Sequence, residues 1–455
     1  MGTGSLSAAP VVHGAAASIL LEKAADDPHT RLLAGIAGSG GSGKSLLLEA
    51  LVAQYRAAGI QVSRGHNGLD QRGGTAPAAV LVDDAHRLDE RALARIHGLI
   101  RERDVHLVVA YRPWPQRPSL ERLAAALEQH HPPVVLGPLT REEITAHAAA
   151  ALAGPAPQAL VDRIVGMTGG MPWLVHAIMA AFHLEGRQAL ADPVTSPALV
   201  ERLGQRLYTL DTELRELLLA LAIGFDLAGH VPPALEQASD SIDHLVSRAR
   251  AAGLLLPNGE LFPLVRHVLL EITPAYRLHA QQRALVDVFT AEGRPIDGVA
   301  RRLAQEGLKD PRVARALERA GDKALGGEPE LAAKIYDEAQ LAGSDELSLA
   351  ARRAQAAAAV GDLDGAGRIL DKLLTHQDPP DLARGVDVAA STWAQRGMLA
   401  RSAQAYRWLG PERAGASAAL AAVVMIGTGD REGAEAVLAA PAASASPTQA
   451  GRRYP

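Results

Sequence analysis

The chain has 455 residues, so we expect two to four domains rather than one core. Apolar residues make up 48% and charged residues 21%, which is typical of globular proteins. The formal net charge of −5 provides no general positive field for nucleic acid. The absence of cysteine excludes disulfides, thiolate metal sites and cysteine nucleophiles. Since we find neither a membrane-spanning apolar run nor a signal-peptide pattern, we expect a cytoplasmic protein with no membrane partner.

Residues 1–30 are interpreted as a leader with one helix, and residues 31–140 then alternate strand and helix patterns. Strands buried on both faces of a parallel sheet are short apolar runs without alternation. Five such runs predict strands: Arg31–Ala37, Ile60–Arg64, Ala79–Asp83, His106–Tyr111 and Val134–Gly137. Helical stretches such as Ser45–Ala57 lie between them, so we predict an α/β nucleotide-binding domain with a parallel sheet.

After residue 140 the strand patterns almost disappear. Residues 141–195 predict a helical lid, and residues 196–290 predict further helices. In the second of these ranges, Leu254–Leu256 and Leu261–Leu264 flank a Pro-Asn-Gly turn, which favours a small hairpin. Helices followed by such a hairpin are typical of a winged-helix domain.

Residues 291–440 are helical and repetitive. Glycines recur at positions 327, 361, 397 and 429, in steps of 34, 36 and 32 residues. The fifth residue after each glycine is small and the ninth is larger: Ala332 and Tyr336, Ala366 and Leu370, Ser402 and Tyr406, Ala434 and Leu438. Positions four residues apart share one helix face, so the pattern predicts tetratricopeptide-like helix pairs. A chance rhythm in an Ala/Gly-rich sequence is the alternative, and residues 441–455 read as a tail or linker.

Residues 38–45 match the P-loop pattern G-x-x-x-x-G-K-[ST]. Glycines allow backbone N–H groups to wrap a phosphate, and the helix that follows adds a favourable dipole. The flanking apolar strand and helix argue against a flexible Gly/Ser linker. Lys44 is expected to contact the β- and γ-phosphates and Ser45 to bind Mg²⁺. The predicted nucleotide-binding residues are Gly38, Ser39, Gly40, Gly41, Ser42, Gly43, Lys44 and Ser45.

Two further motifs supply candidate catalytic groups. A buried strand that ends in Asp83 delivers this carboxylate to the metal, and Asp84 is the candidate for positioning the attacking water. A helix cap before Ala85 is the structural alternative for this pair. Arg112 ends the apolar run that begins at His106, and there it would sense or neutralise the γ-phosphate, unless it is an ordinary loop arginine.

The order of these motifs resembles the STAND class of AAA+-related ATPases, most nearly the large LuxR-type and maltose-regulator-like transcriptional regulators. The resemblance covers roughly residues 30–440 and includes Asp83-Asp84-Ala85-His86 and the Gly170-Met171-Pro172 element. It implies ATP and ADP as nucleotides, with Pro172 near the base. It also implies that His267 approaches the bound diphosphate, although His86 and His267 equally fit ordinary surface or capping histidines.

The resemblance implies a switch that binds ATP and hydrolyses it slowly. An inducer or signalling protein would bind the helical repeats, and the ATP state would self-associate. The Gly-Arg-Glu element expected upstream of the P-loop and the terminal helix-turn-helix are both absent, so we expect DNA contact only indirectly or through a further segment. The alternatives are an AAA+ ATPase acting on DNA through its winged helix, a P-loop kinase or transferase, and a repeat scaffold with an inactive P-loop.

Overall fold

The computed structural model describes residues 14–65, 78–102, 104–114, 117–185, 196–227, 231–376 and 379–440. The start of the predicted leader and the predicted tail at 441–455 therefore lie outside the described residues. The chain divides into two compact units, one ending at Gln281 and one starting at Gln282. Within the described ranges, no helix is long and apolar enough to cross a membrane.

A five-stranded parallel sheet forms the core of the first unit, in the order β2-β3-β4-β1-β5. Its strands are β1 (Leu33–Gly38), β2 (Gln61–Arg64), β3 (Ala78–Val82), β4 (Val105–Tyr111) and β5 (Val134–Leu136). The prediction of an α/β domain with a parallel sheet is confirmed, and each strand lies within two residues of its predicted bounds. Because β4 lies between β1 and β3, the residues that follow these three strands meet at one edge of the sheet.

Helices cover both faces of the sheet, which explains why the strands are apolar without alternation. The four helices are α1 (Ala15–Asp26), α2 (Lys44–Ala57), α3 (Glu90–Leu99) and α4 (Pro118–Glu128). The first two pack in one apolar cluster with β1, and the last two pack in a second cluster on the other face. Helix α1 buries Ala17, Leu20 and Ala24 in the first cluster, so this part of the predicted leader belongs to the α/β core.

Among the described residues of the first unit, seven α-helices follow the sheet before the helix that begins at Ala275. They are α5 (Arg141–Leu152), α6 (Gln158–Thr168), α7 (Pro172–Glu185), α8 (Pro197–Tyr208), α9 (Thr212–Ile223), α10 (Ile242–Ala251) and α11 (Pro263–Ile272). The predicted hairpin is reduced to one antiparallel bridge between Leu255 and Leu261. Its second strand was predicted to reach Leu264, and this is wrong, because Pro263 begins α11. Proline is favoured at the first position of a helix, where its missing N–H is not needed.

The chain continues through α12 (Ala275–Ala291), and the second unit is helical. Its further helices are α13 (Asp297–Gln305), α14 (Pro311–Leu325), α15 (Pro329–Leu341), α16 (Glu346–Val360), α17 (Leu363–Leu374), α18 (Leu382–Gln395), α19 (Leu399–Leu409), α20 (Pro411–Ala414), α21 (Ala418–Gly427) and α22 (Arg431–Ala439). Each repeated glycine of the sequence lies between two helices that pack together: α14–α15, α16–α17, α18–α19 and α21–α22. The four small residues are buried, as is the larger residue of the first three pairs, whereas Leu438 is 59% exposed.

Candidate functional site

The P-loop sequence connects β1 to α2 at the edge of the sheet where the strands end. Gly41 and Gly43 adopt positive φ angles of 80° and 99°, which glycine tolerates without strain. Helix α2 begins at Lys44, so the unpaired N–H groups of its first turn lie at the end of the loop. The local geometry therefore agrees with an anion-binding loop at a helix N-terminus.

Lys44 is almost fully buried at 6% exposure. Its ammonium group donates hydrogen bonds to the carbonyl oxygens of Gly38 (2.8 Å) and Ser39 (2.7 Å). Burial lowers the pKa of Lys44 to about 8, and the positive charge of Arg112 acts in the same direction. The amine thus stays mostly protonated at pH 7. An ammonium group has three donors, so one N–H remains for a further acceptor.

Ser45 and Asp83 form the candidate Mg²⁺ site. The Ser45 hydroxyl donates a 2.6 Å hydrogen bond to one oxygen of Asp83, whose other oxygen accepts a 2.8 Å bond from the N–H of Asp84. The described residues include no group of three or more His, Cys, Asp or Glu side chains that could hold a metal. Mg²⁺ bound here would therefore need phosphate or water oxygens to complete its shell, as is usual for this ion.

Arg112 directly follows β4 and so lies between the ends of the two strands that carry the P-loop and the acidic pair. Among the residues that the structure describes, its buried Nε has no hydrogen-bond partner. Burial lowers the pKa of this guanidinium group, while the charge of Asp84 opposes that effect. An unpaired buried donor of this kind is costly unless an acceptor binds it.

Asp84 and His86 lie beside this arginine. Asp84 adopts a left-handed conformation with φ of 49°, which is uncommon for a residue with a side chain and is often found at functional sites. The His86 side chain is only 12% exposed and its Nδ1 lies 3.8 Å from Asp84, so it is not an ordinary surface histidine. Burial, followed by the charge of Arg112, lowers the pKa of His86 to about 4, and the imidazole is therefore neutral at pH 7.

A cavity of about 320 Å³ lies at this edge of the sheet. It is lined by Gly40, Gly41, Ser42, Gly43, Lys44, Ser45, Leu46, Asp84, Arg112, Leu136, Pro172, Trp173 and His176. Most of the predicted site residues therefore meet here. Gly38, Ser39 and Asp83 contact the lining residues Lys44 and Ser45 instead. His267 is half-buried in α11 and does not line this cavity, so its contact with a diphosphate stays a prediction.

Trp173, which the sequence analysis missed, packs directly on the P-loop. A Cβ atom at Gly41 would lie 2.4 Å from the indole Cδ1, so glycine is required at this position for the contact. The indole N–H donates a 3.1 Å hydrogen bond to the carbonyl of Gly253. The Arg206 guanidinium lies 3.8 Å from the centre of the indole ring. Burial lowers the pKa of Arg206, and the charge of Arg112 lowers it further.

The end of α10 also contacts the P-loop, through residues that we call the covering segment, Ala251–Gly253. The carbonyl of Ala251 accepts a 2.7 Å hydrogen bond from the N–H of Gly40. A Cβ atom at Gly253 would lie 2.2 Å from the Gly40 carbonyl oxygen, and Gly253 also has a φ of 72°. The covering segment therefore requires glycine at position 253, and it accepts a hydrogen bond from one N–H group of the loop.

The charges around the cavity favour a polyanion. Burial lowers the pKa values of Lys44, Arg112 and Arg206, and the charge of Arg112 contributes at the other two. Cations that are buried close together are destabilised by desolvation and by mutual repulsion. A bound phosphate chain would relieve both effects and supply the acceptor that Arg112 lacks. The donor set therefore fits a nucleoside phosphate with Mg²⁺.

No family model matches this chain, and no curated protein matches it. Among solved structures it is similar to the Holliday junction branch migration motor RuvB of Thermotoga maritima, at 17% identity and a TM-score of 0.36, covering 54% of this chain and 89% of that one. A Walker-type ATPase of Pyrococcus abyssi matches at 13% identity and a TM-score of 0.39, covering 57% and 96%. The replication initiator DnaA bound to AMPPCP and single-stranded DNA matches at 15% identity and a TM-score of 0.35, covering 62% and 94%.

Proposed function

We propose that this chain binds ATP and ADP with Mg²⁺ and hydrolyses ATP slowly, as a signal-transduction switch of the STAND type. The observation that carries the proposal is one cavity in which Lys44, Asp84 and Arg112 meet and which the covering segment adjoins. The Gly40 N–H donates to the Ala251 carbonyl, so it is not available to a phosphate while this contact is present. A switch needs such a contact, because nucleotides must bind its two states with different affinities.

The proposed roles follow from the chemistry of each group. The loop N–H groups and the Lys44 ammonium hold the phosphates, and Ser45 and Asp83 hold Mg²⁺. The metal, when bound, offsets charge on the phosphate oxygens. Asp84 accepts a hydrogen bond from the attacking water, and Arg112 stabilises charge at the γ-phosphate position. Pro172 lines the cavity where the base is expected.

The covering segment is the proposed restraint of the resting state. While the Ala251 carbonyl accepts the Gly40 N–H, α10 and the helix that follows it are held against the P-loop. Trp173 strengthens this arrangement by contacting both Gly41 and Gly253. We propose that ADP is retained in this closed arrangement and that ATP binding favours its release, followed by self-association.

The proposed signal input is the helical second unit, as the regulatory part of a LuxR-type regulator. A cavity of about 580 Å³ lies beside α16 and α17 and is lined by both apolar and charged side chains. Lys372 in this lining is paired with Glu346 at 2.8 Å, whereas Arg368 makes no ion pair within the described residues. An inducer with an apolar body and an anionic group would fit this lining, and DNA would be contacted only indirectly.

The test begins with nucleotide released from the purified full-length chain and continues with titrations of ADP and ATP in the presence of Mg²⁺. We expect retained ADP and slow ATP hydrolysis in the wild type, and loss of both in Lys44→Ala. Lys334→Ala is the control, since Lys334 is an exposed lysine of the second unit. A folded wild-type protein without nucleotide affinity would overturn the proposal and leave a repeat scaffold with an inactive loop.

A further inference from the structure

Arg206 belongs to α8, yet it contacts a residue that lines the phosphate cavity. Its guanidinium lies 3.8 Å from the centre of the Trp173 ring, and Trp173 is a lining residue. Helix α8 packs against α7, whose first turn holds Trp173. Arg206 itself is half-buried and is not part of the lining. One indole ring therefore contacts both this cation and Gly41 of the P-loop.

The charge of Arg206 is not balanced by a carboxylate in the part of the chain that the structure describes. There its guanidinium makes no hydrogen bond and no ion pair. After burial, the group that lowers the pKa of Arg206 is another cation, Arg112. Stacking on an aromatic face attracts a guanidinium but provides no acceptor for its several N–H groups. An anion close to Trp173 would provide both an acceptor and a counterion.

A second arginine of the described chain also stacks on a tryptophan, but it is exposed. Arg401 lies 4.2 Å from the centre of the Trp393 ring in the second unit. Water solvates the charge of Arg401, so support of the ring is a sufficient explanation for that contact. Arg206 makes the same kind of ring contact while half-buried and near a like charge, which is unfavourable for a cation. Support of Trp173 alone therefore does not explain an arginine at position 206.

We propose that Arg206 is a further nucleotide-binding residue, which supplies positive charge from α8 to the phosphate chain while Trp173 holds its guanidinium beside the P-loop. This inference rests on the proposed nucleotide site and adds a second restraint to it. The hydrogen bond from Gly40 to Ala251 joins two backbone groups and involves no anion. The attraction between Arg206 and the site requires one. Bound nucleotide therefore holds α8 toward the P-loop, and its release removes that restraint.

The first test separates the charge of Arg206 from its packing. Arg206→Met keeps an unbranched side chain on the ring without the charge, Arg206→Gln removes the charge with a polar side chain, and Arg206→Lys keeps the charge. Titration calorimetry measures the dissociation constant of ADP with Mg²⁺ for each full-length variant. We expect a rise of about tenfold or more in Arg206→Met and Arg206→Gln, since the phosphates lose a charged partner, and a smaller rise in Arg206→Lys.

Arg401→Met is the matched control, because it removes an arginine from a tryptophan ring in the second unit. We expect it to bind ADP like the wild type. Circular dichroism checks that each variant folds, and the two uncharged variants at position 206 make the test independent of either one.

The second test repeats the ADP titrations over a series of salt concentrations. Salt screens interactions between charges, so the affinity of Arg206→Met should fall less steeply with salt than that of the wild type or Arg206→Lys. A residue that only supported Trp173 would change the affinity by the same factor at every salt concentration. That result would overturn the inference, as would unchanged ADP affinity in Arg206→Met or an equal loss in Arg401→Met. A folded wild type without affinity for ADP would instead overturn the proposed nucleotide site.

Discussion

Replacing Gly253 with alanine tests whether the covering segment restrains the P-loop. The new Cβ would lie 2.2 Å from the Gly40 carbonyl oxygen, a backbone atom that cannot rotate away. The residue also has a φ of 72°, where a side chain costs roughly 1–2 kcal/mol. Moving the segment breaks the bonds from Gly40 N–H to Ala251 and from the Trp173 indole to Gly253. Each of these contributes about 1 kcal/mol.

Together these effects destabilise the closed contact by roughly 3 kcal/mol, which corresponds to about a hundredfold shift toward the open arrangement. We expect ADP release from Gly253→Ala to be faster than from the wild type, by up to that factor if opening limits release. The assay is stopped-flow displacement of a fluorescent ADP analogue by excess ATP. Intrinsic tryptophan fluorescence provides a second signal, because one of the four indoles, that of Trp173, contacts the same segment.

Gly259→Ala is the matched control for this experiment. Gly259 also has a positive φ of 89°, but a Cβ atom there meets nothing within 4 Å. It therefore imposes the backbone strain without the collision on the P-loop. Equal release rates in the two variants would refute the reasoning, since the covering segment would then have no influence on the nucleotide site.

Three further outcomes follow from the site and from one buried carboxyl group. Arg112→Ala is expected to slow ATP hydrolysis about 10²–10³-fold with little change in ADP affinity, as measured in single-turnover assays. Arg91→Ala is the control and should leave the rate unchanged, since Arg91 is an exposed residue of α3. Because the pKa of Lys44 falls from 10.5 when unfolded to about 8 when folded, the unfolded state binds more protons between these values. The free energy of unfolding without nucleotide should thus rise by roughly 3 kcal/mol from pH 8 to 10.5, and the same measurement on Lys44→Met should lack this rise. Burial raises the pKa of Asp387 to about 6 from 3.8, so here the folded state binds more protons and stability should fall as pH rises from about 4 to 6. Denaturant titrations that show the same fall in Asp387→Asn would contradict this assignment.

The sheet and its phosphate loop could be predicted because their signals are local. Buried parallel strands are short apolar runs, and a P-loop requires glycines at fixed spacing between a strand and a helix. The strand order was not predicted. It results from how the helices between strands cross the sheet, and it is what places Arg112 between the P-loop and Asp83.

The remaining lining of the site depends on tertiary packing. Trp173 follows the Gly170-Met171-Pro172 element directly, so its position near the cavity had a signal in the sequence, but its contact with Gly41 had none. The covering segment is about 200 residues from the P-loop, and its small residues carry no motif. The need for glycine at position 253 becomes clear only from its close approach to Gly40 in the structure.

The repeat pattern shows that residues at equivalent sequence positions can differ in burial. Tyr336, Leu370, Tyr406 and Leu438 occupy equivalent positions in the sequence, yet only the first three are buried. The repeat predicts that each of these side chains lies on the helix face that is directed toward a neighbouring pair. It does not predict whether that side chain is buried. Leu438 keeps the residue type of an interior position although it is 59% exposed. The repeat therefore predicts residue type, whereas burial depends on how each helix pair packs.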